Sequence, residues 1–157
     1  ILKVDVKTLV NEKLDKGPVK LVANLPYYIT TPIIMKLLEE SRQNGKNRLT
    51  SITVMVQKEA AERLCAKVGT RDAGAVTVAV DYYAEAEILF HVDRFSFTPP
   101  PNVDSAVIQL KIRKTPEVEV KDEKKFFALV KACFAQRRKT LVNTVSNTSH
   151  GFSSSCL

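Results

Sequence analysis

Two periodicities divide the chain. Residues 1 to 6 alternate apolar and polar like a strand, and the polar stretch "NEKLDKGPVK" with its Gly-Pro turn signal separates them from a second strand at 20 to 24. "TPIIMKLLEES" then switches to the helical period, with apolar positions at Ile33, Ile34, Leu37 and Leu38. Thr31 is the expected N-cap and Pro32 the first helical residue. The polar loop "RQNGKNR" leads to "TSITVMV", a short β-branched run suited to a buried strand, and "QKEAAERLCAK" reads as a helix. "AGAVTVAVDYY" at 73 to 83 is ambiguous: Val76, Val78 and Val80 alternate as in a strand, while the alanine background suits a helix. "AEILFHV" and "SAVIQLKI" are strands separated by the aromatic and proline-rich "DRFSFTPPPNVD". The last element, "DEKKFFALVKACFAQ", carries a helical stripe of Phe126, Phe127, Leu129, Val130, Cys133 and Phe134. Strands alternating with helices predict an α/β sheet, which ends in an antiparallel pair because no crossover helix joins the last two strands.

Composition narrows the class. A chain of 157 residues that is 45% hydrophobic suffices for one domain around one core. No internal repeat is seen, and the Ser-rich end "SNTSHGFSSSCL" is expected to be a loose tail, residues 148–157 following a domain of residues 1–147. No run approaches the roughly 18 apolar residues of a membrane span, and "ILKVDVKTLV" lacks the layout of a signal peptide, so a cytoplasmic location is expected. The chain opens without Met inside a strand-like alternation, which suggests that upstream residues have been removed. Cys65, Cys133 and Cys156 are too scattered for a CxxC pair or a zinc site and are read as reduced thiols. His91 and His150 have no neighbouring ligand and read as surface or strand-end residues, so no metal is assigned.

Charge adds a partner class. A net charge of +7 and a pI near 9.4 suit a polyanion, and "QRRKT" sets Arg137, Arg138 and Lys139 side by side after the last helix. On electrostatics alone this cluster is either a nucleic-acid contact or a solvated basic face.

Candidate chemistry lies in "KLVANLPYYITTP". In open α/β sheets ligands bind beyond the carboxyl ends of the strands, and Asn24-Leu25-Pro26-Tyr27 falls there if the strand before it is parallel. Proline forces Leu25 into an extended conformation that can turn a backbone carbonyl outward, and the Asn24 amide offers a second acceptor. Two fixed acceptors suit a planar exocyclic amine such as N6 of adenine: accepting both hydrogens localises the nitrogen lone pair and aims it at an electrophile. Tyr27 can stack on the base. The plainer reading is a strand-exit turn with a core tyrosine. Phe95 and Phe97, ahead of three prolines in "FSFTPPPNVDSAV", offer a stiff second aromatic wall or, equally, a rigid linker with two core phenylalanines.

From Asp5 to about Asn147 the sequence resembles the rRNA adenine dimethyltransferases, through "ANLPYYITTPII", "VQKEAAERL", "FSFTPPPNVDSAV" and "FAQRRKTL" in order. The resemblance implies a Rossmann-like class I methyltransferase sheet that uses S-adenosylmethionine to dimethylate adenines of small-subunit rRNA, as naked RNA or in a pre-ribosomal particle, the intact enzyme being a monomer. It implies that Asn24, Leu25 and Pro26 bind the target amine beside the cofactor methyl, that Tyr27 stacks on the adenine and that Phe97 packs near it. Asp5 corresponds to the acidic residue that holds the cofactor adenine, although Val4 replaces the usual Gly before it. Glu59 is a structural or cofactor-side support, Arg137, Arg138 and Lys139 correspond to the basic stretch near RNA, and 73 to 83 becomes a helix, with Ala73 where a Tyr is common.

The class I fold also needs a Gly-rich loop after its first strand, and the glycines at 17, 45, 69, 74 and 151 form no GxG pair. The chain is therefore expected to be the C-terminal part of such a sheet, lacking the first strands and that loop, and to bind S-adenosylmethionine poorly alone. Two competing readings are a non-catalytic rRNA-binding or ribosome-assembly factor and a large-subunit rRNA methylase of the antibiotic-resistance branch. The triple proline and "NVDSAV" are more similar to the small-subunit branch.

Overall fold

The structure is a computed structural model that describes residues 17–42, 48–116 and 118–135, together with Thr8, Val10, Glu12 and Leu14. It divides into two compact units, Ile1–Glu117 and Val118–Leu157. The expected strand at 1 to 6 and the expected loose tail lie outside the described residues.

In the first unit four strands form one sheet: β1 (Val19–Asn24), β2 (Leu49–Gln57), β3 (Ala84–Val92) and β4 (Ser105–Ile112), in the order β1-β2-β4-β3. β1 runs parallel to β2, while β4 lies between β2 and β3 and is antiparallel to both. The expected antiparallel end of the sheet is present. What periodicity did not specify is that β4 returns into the middle of the sheet.

Register explains why. Leu21, Ile52, Leu110 and Ala86 fall in one cross-strand row, and Ala23, Val54, Ile108 and Ile88 in the next. Ile52, Ile108 and Leu110 are fully buried, so the central position suits β4, whose apolar positions alternate with period two. The opposite face carries Val22, Thr53, Gln109 and Glu87, all exposed or half-buried. Past Ile88 the register shifts, so that Phe90 faces Val107 and is 55% exposed.

Three helices complete the core: α1 (Thr30–Arg42), α2 (Lys58–Leu64), which packs on β2, β3 and β4, and α3 (Ala75–Tyr83), which packs on β3, α1 and α2. Ile33, Ile34, Leu37 and Leu38 of α1 are buried as the pattern requires. The ambiguous segment is helix α3, because burying Ala79, Val80, Tyr82 and Tyr83 along a 3.6-residue period serves the core better than alternation would. Thr77, which is buried, joins two helices: its hydroxyl accepts from the Gly74 N–H at 2.9 Å and donates to the Arg63 carbonyl at 2.7 Å. Arg113 closes the far end of the sheet, with its guanidinium on Asp81 at 3.2 Å and Glu85 at 3.1 Å.

Two helix boundaries differ from expectation. Thr31 is not the N-cap of α1 and Pro32 is not its first residue: a 3-10 turn at Tyr27–Ile29 runs directly into a helix starting at Thr30. The Pro26 carbonyl accepts from the Ile29 N–H at 3.2 Å and the Thr30 hydroxyl at 3.0 Å, so the chain begins to coil before the expected cap. α2 stops at Leu64, where the Cys65 N–H closes the last turn on the Ala61 carbonyl at 2.9 Å. Cys65 and Cys133 are free thiols, and burial, with a smaller effect from Glu87, pushes the Cys65 thiol up to about 11.

The second unit contains helix α4 (Glu123–Phe134), opened by an Asp122 side chain that accepts from the Lys125 N–H at 3.1 Å. Phe126, Phe127, Val130 and Cys133 of its expected stripe are half-buried, whereas Leu129 and Phe134 stay exposed. Among the described residues no helix is long and apolar enough to cross a membrane, and no cluster of His, Cys, Asp and Glu could hold a metal ion.

Candidate active site

β1 ends at Asn24, whose cross-strand neighbour on β2 is Met55. Since β1 and β2 are parallel, the Asn24 to Tyr27 segment leaves the sheet at the carboxyl end of its strands, the end where open α/β sheets hold ligands. Proline sets the exit, with Pro26 at φ −59 and ψ 128. Leu25 is buried at 6% exposure and anchors the turn in the core, while Asn24 and Pro26 are exposed and Tyr27 is half-buried.

Asn24, Leu25, Pro26 and Tyr27 line a cavity of about 410 Å³ together with Met55, Phe97, Pro99 and Pro101. The structure thus brings the two sequence-distant aromatic segments to one site. The eight lining side chains are apolar or neutral: one amide, one phenol and one thioether, with no carboxylate, imidazole or ammonium among them. Both lone pairs of the Pro26 carbonyl are taken by Ile29 and Thr30, so Pro26 shapes the turn and offers no free acceptor.

The Tyr27 hydroxyl lies 2.6 Å from Ser105 Oγ, across 78 residues of sequence. Ser105 is fully buried at the start of β4, so this bond ties the exit of β1 to the middle of the sheet and fixes the phenol at the cavity wall. Sequence reasoning missed Ser105, although a serine opening a strand directly ahead of the apolar run Ala106 to Ile108 was an available signal. It also missed Met55, whose place depends on the β1–β2 register. Ser105→Ala and Tyr27→Phe each break the bond. Removing one partner should destabilise by about 1–3 kcal/mol, and the double variant should cost less than the sum of the two. Urea unfolding of all four proteins measures the coupling, and additive costs would show that the hydroxyls do not act as a pair.

The loop beyond Val92 is equally constrained. A 3-10 turn at Arg94–Ser96 is capped by the Asp93 side chain, which accepts from the Phe95 N–H at 2.8 Å, and Asp104 Oδ1 accepts from the Arg94 N–H at 3.2 Å. The Asp104 carbonyl accepts from the Lys58 N–H at 3.0 Å, docking the loop on the start of α2. The result is a pinned segment that holds Phe97, half-buried, in the cavity wall. Glu59 does not line this cavity. It is exposed, pairs with Arg63 at 2.8 Å and borders a second cleft. Asp5, Arg137, Arg138 and Lys139 lie outside the described residues.

A family model described as ribosomal RNA adenine dimethylase matches residues 1–156. The chain belongs to that family. Among curated dimethylase relatives, the ribosomal RNA small subunit methyltransferase A of Clostridioides difficile is 55% identical over 145 residues, covering 92% of this chain and 48% of the relative. The protein of the same name from Bacillus cereus (strain B4264) is 52% identical over 153 residues, covering 97% of this chain and 51% of the relative. The chain therefore spans about half the length of the curated relatives it matches. Its fold is shared with a dimethyladenosine transferase from Plasmodium falciparum, at TM-score 0.69 and 30% identity over 85% of this chain and 46% of that one. The 23S rRNA methyltransferase ErmE is also similar, at TM-score 0.64 and 26% identity over 85% of this chain and 52% of that one. The sheet of this dimethylase-family member is accordingly a class I methyltransferase sheet.

Proposed function

We propose that this chain carries the target-base side of an S-adenosylmethionine-dependent dimethyltransferase acting on N6 of adenines in small-subunit rRNA, working as a cytoplasmic monomer on RNA or a pre-ribosomal particle. The observation that carries the reading is the joint placement of Asn24 to Tyr27 and Phe97 around one cavity at the carboxyl end of parallel strands.

Asn24 Oδ1 and the Leu25 carbonyl are the acceptors assigned to the two amine hydrogens of a flipped adenine. Tyr27, held by Ser105, and Phe97, held by its pinned loop, supply aromatic surfaces for the base. A base brought out of its helix loses stacking, and base–aromatic contacts of about 1–3 kcal/mol each offset that loss. Orienting the amine localises its lone pair, so the nitrogen needs no deprotonation before attack and can release its proton afterwards. A cavity without carboxylate or imidazole suits that order of events.

The donor set tests the fit of the cofactor. A small apolar cavity ending in one amide suits the methyl end of S-adenosylmethionine, with Asn24 beside it, and Asp5 is assigned to the cofactor adenine. When bound, that cofactor supplies an electrophilic methyl group on a sulfonium. The curated relatives bear the small-subunit name at 52–55% identity, against 26% for ErmE, which favours the small-subunit reading over the large-subunit one. Mass spectrometry of rRNA from cells lacking the gene, and from cells with it restored, tests this. Dimethyladenosine should vanish from small-subunit rRNA and return on complementation. Unchanged content would overturn the proposal, and a loss confined to large-subunit rRNA would move it to the other branch.

A further inference from the structure

Two features lie beside the cavity and are not part of its lining. The first is Phe95, which is 73% exposed although a full phenylalanine side chain gains by burial. Its backbone is not loose: the Arg94, Phe95, Ser96 and Phe97 N–H groups are all bonded, to Asp104 Oδ1, Asp93 Oδ1, the Asp93 carbonyl and the Arg94 carbonyl respectively. The turn thus presents an aromatic ring to solvent from a fixed backbone, with the Arg94 guanidinium 5.0 Å from the ring centroid. The second is a cleft of about 310 Å³ that includes Gln57, Lys58, Arg94 and Asn102. Arg94 belongs to both.

These features adjoin the cavity through shared elements. Met55 and Gln57 are two residues apart on one strand, Pro101 and Asn102 are consecutive, and Phe95 precedes Phe97 by two residues. Alternate residues of a strand are about 6.6–6.8 Å apart, so the cleft opens one short step from the target cavity.

We propose that Phe95 and Arg94 form a stacking platform for the nucleotide next to the target adenine in single-stranded RNA, with the cleft receiving its polar edge. This rests on the function proposed above. A ring and a guanidinium accept any base face, Gln57 and Asn102 supply both donors and acceptors for a base edge, and Lys58 and Arg94 supply charge for the flanking phosphates. Two of the cleft's carboxylates are already engaged, Glu59 by Arg63 and Asp104 by the Arg94 N–H. Glu62 is left as an acceptor for a base amino group. A platform that fixes the neighbouring nucleotide would hold the RNA strand open while the target base occupies its cavity.

The test uses the full-length gene product and two probes, adenosine and a nine-nucleotide single-stranded RNA containing the methylated adenine and its neighbours. Phe95→Ala should weaken binding of the RNA roughly 5- to 150-fold, leave adenosine binding and the thermal midpoint unchanged, and be rescued by Phe95→Tyr. Undiminished RNA binding by Phe95→Ala, or a loss that Phe95→Tyr does not rescue, would overturn the platform. Failure of the wild-type protein to methylate the RNA, with Phe95-dependent binding intact, would count against the proposed function and leave the platform standing.

Discussion

Asn24→Ala should lower methyl transfer to small-subunit rRNA by roughly 10²–10³-fold, the range seen when one preorganised polar group is removed from a reacting centre. The side chain is exposed at the end of β1, so its loss removes no core contact, and surface substitutions of this kind shift stability by about 0.5 kcal/mol or less. RNA affinity should change little, because stacking and phosphate contacts do not involve the amide. Single-turnover transfer of a labelled methyl group, measured beside RNA binding, separates the two effects. An equal fall in both would mean that Asn24 holds RNA without orienting the amine. An unchanged rate would reduce the Asn-Leu-Pro-Tyr segment to a strand-exit turn and revive the reading of a non-catalytic rRNA-binding factor.

Ile108→Ala should be a severe core change, at about 2–5 kcal/mol. Ile108 is fully buried in the interior strand β4, with Val54 on one side and Ile88 on the other. No neighbour can collapse into the gap without disturbing two ladders. Against a typical total of about 5–15 kcal/mol, such a loss removes a large part of the stability of a single domain. Thermal and urea unfolding should both show it, whereas Lys111→Ala, whose ammonium pairs with Glu87 on the exposed face at 2.7 Å, should stay within about 1 kcal/mol of the parent. The cost reaches the site, because β4 also carries Ser105 and through it the Tyr27 ring. Equal midpoints for the two variants would mean that the β2-β4-β3 core is not the cooperative unit.

The amino-acid sequence by itself determined the elements whose causes are local. Short β-branched and apolar runs specified β2, β3 and β4, and the 3.6-residue stripes specified α1 and α4, since these local patterns suit one backbone geometry each. Pro26 likewise dictated the exit from β1, through its own ring. The tertiary structure decided what depends on pairing between distant residues. Periodicity alone left 73 to 83 open between strand and helix; the family resemblance implied the helix, and the fold forms it over Ala75–Tyr83, where it buries Tyr82 and Tyr83 in the core. The first turn of α1 formed earlier than its cap signal because the Pro26 carbonyl found partners in Ile29 and Thr30. Placing β4 between β2 and β3, seating Met55 beside Asn24 and bringing Ser105 within 2.6 Å of Tyr27 all follow from register, which is set by the summed burial of whole strands and is not encoded at any one position.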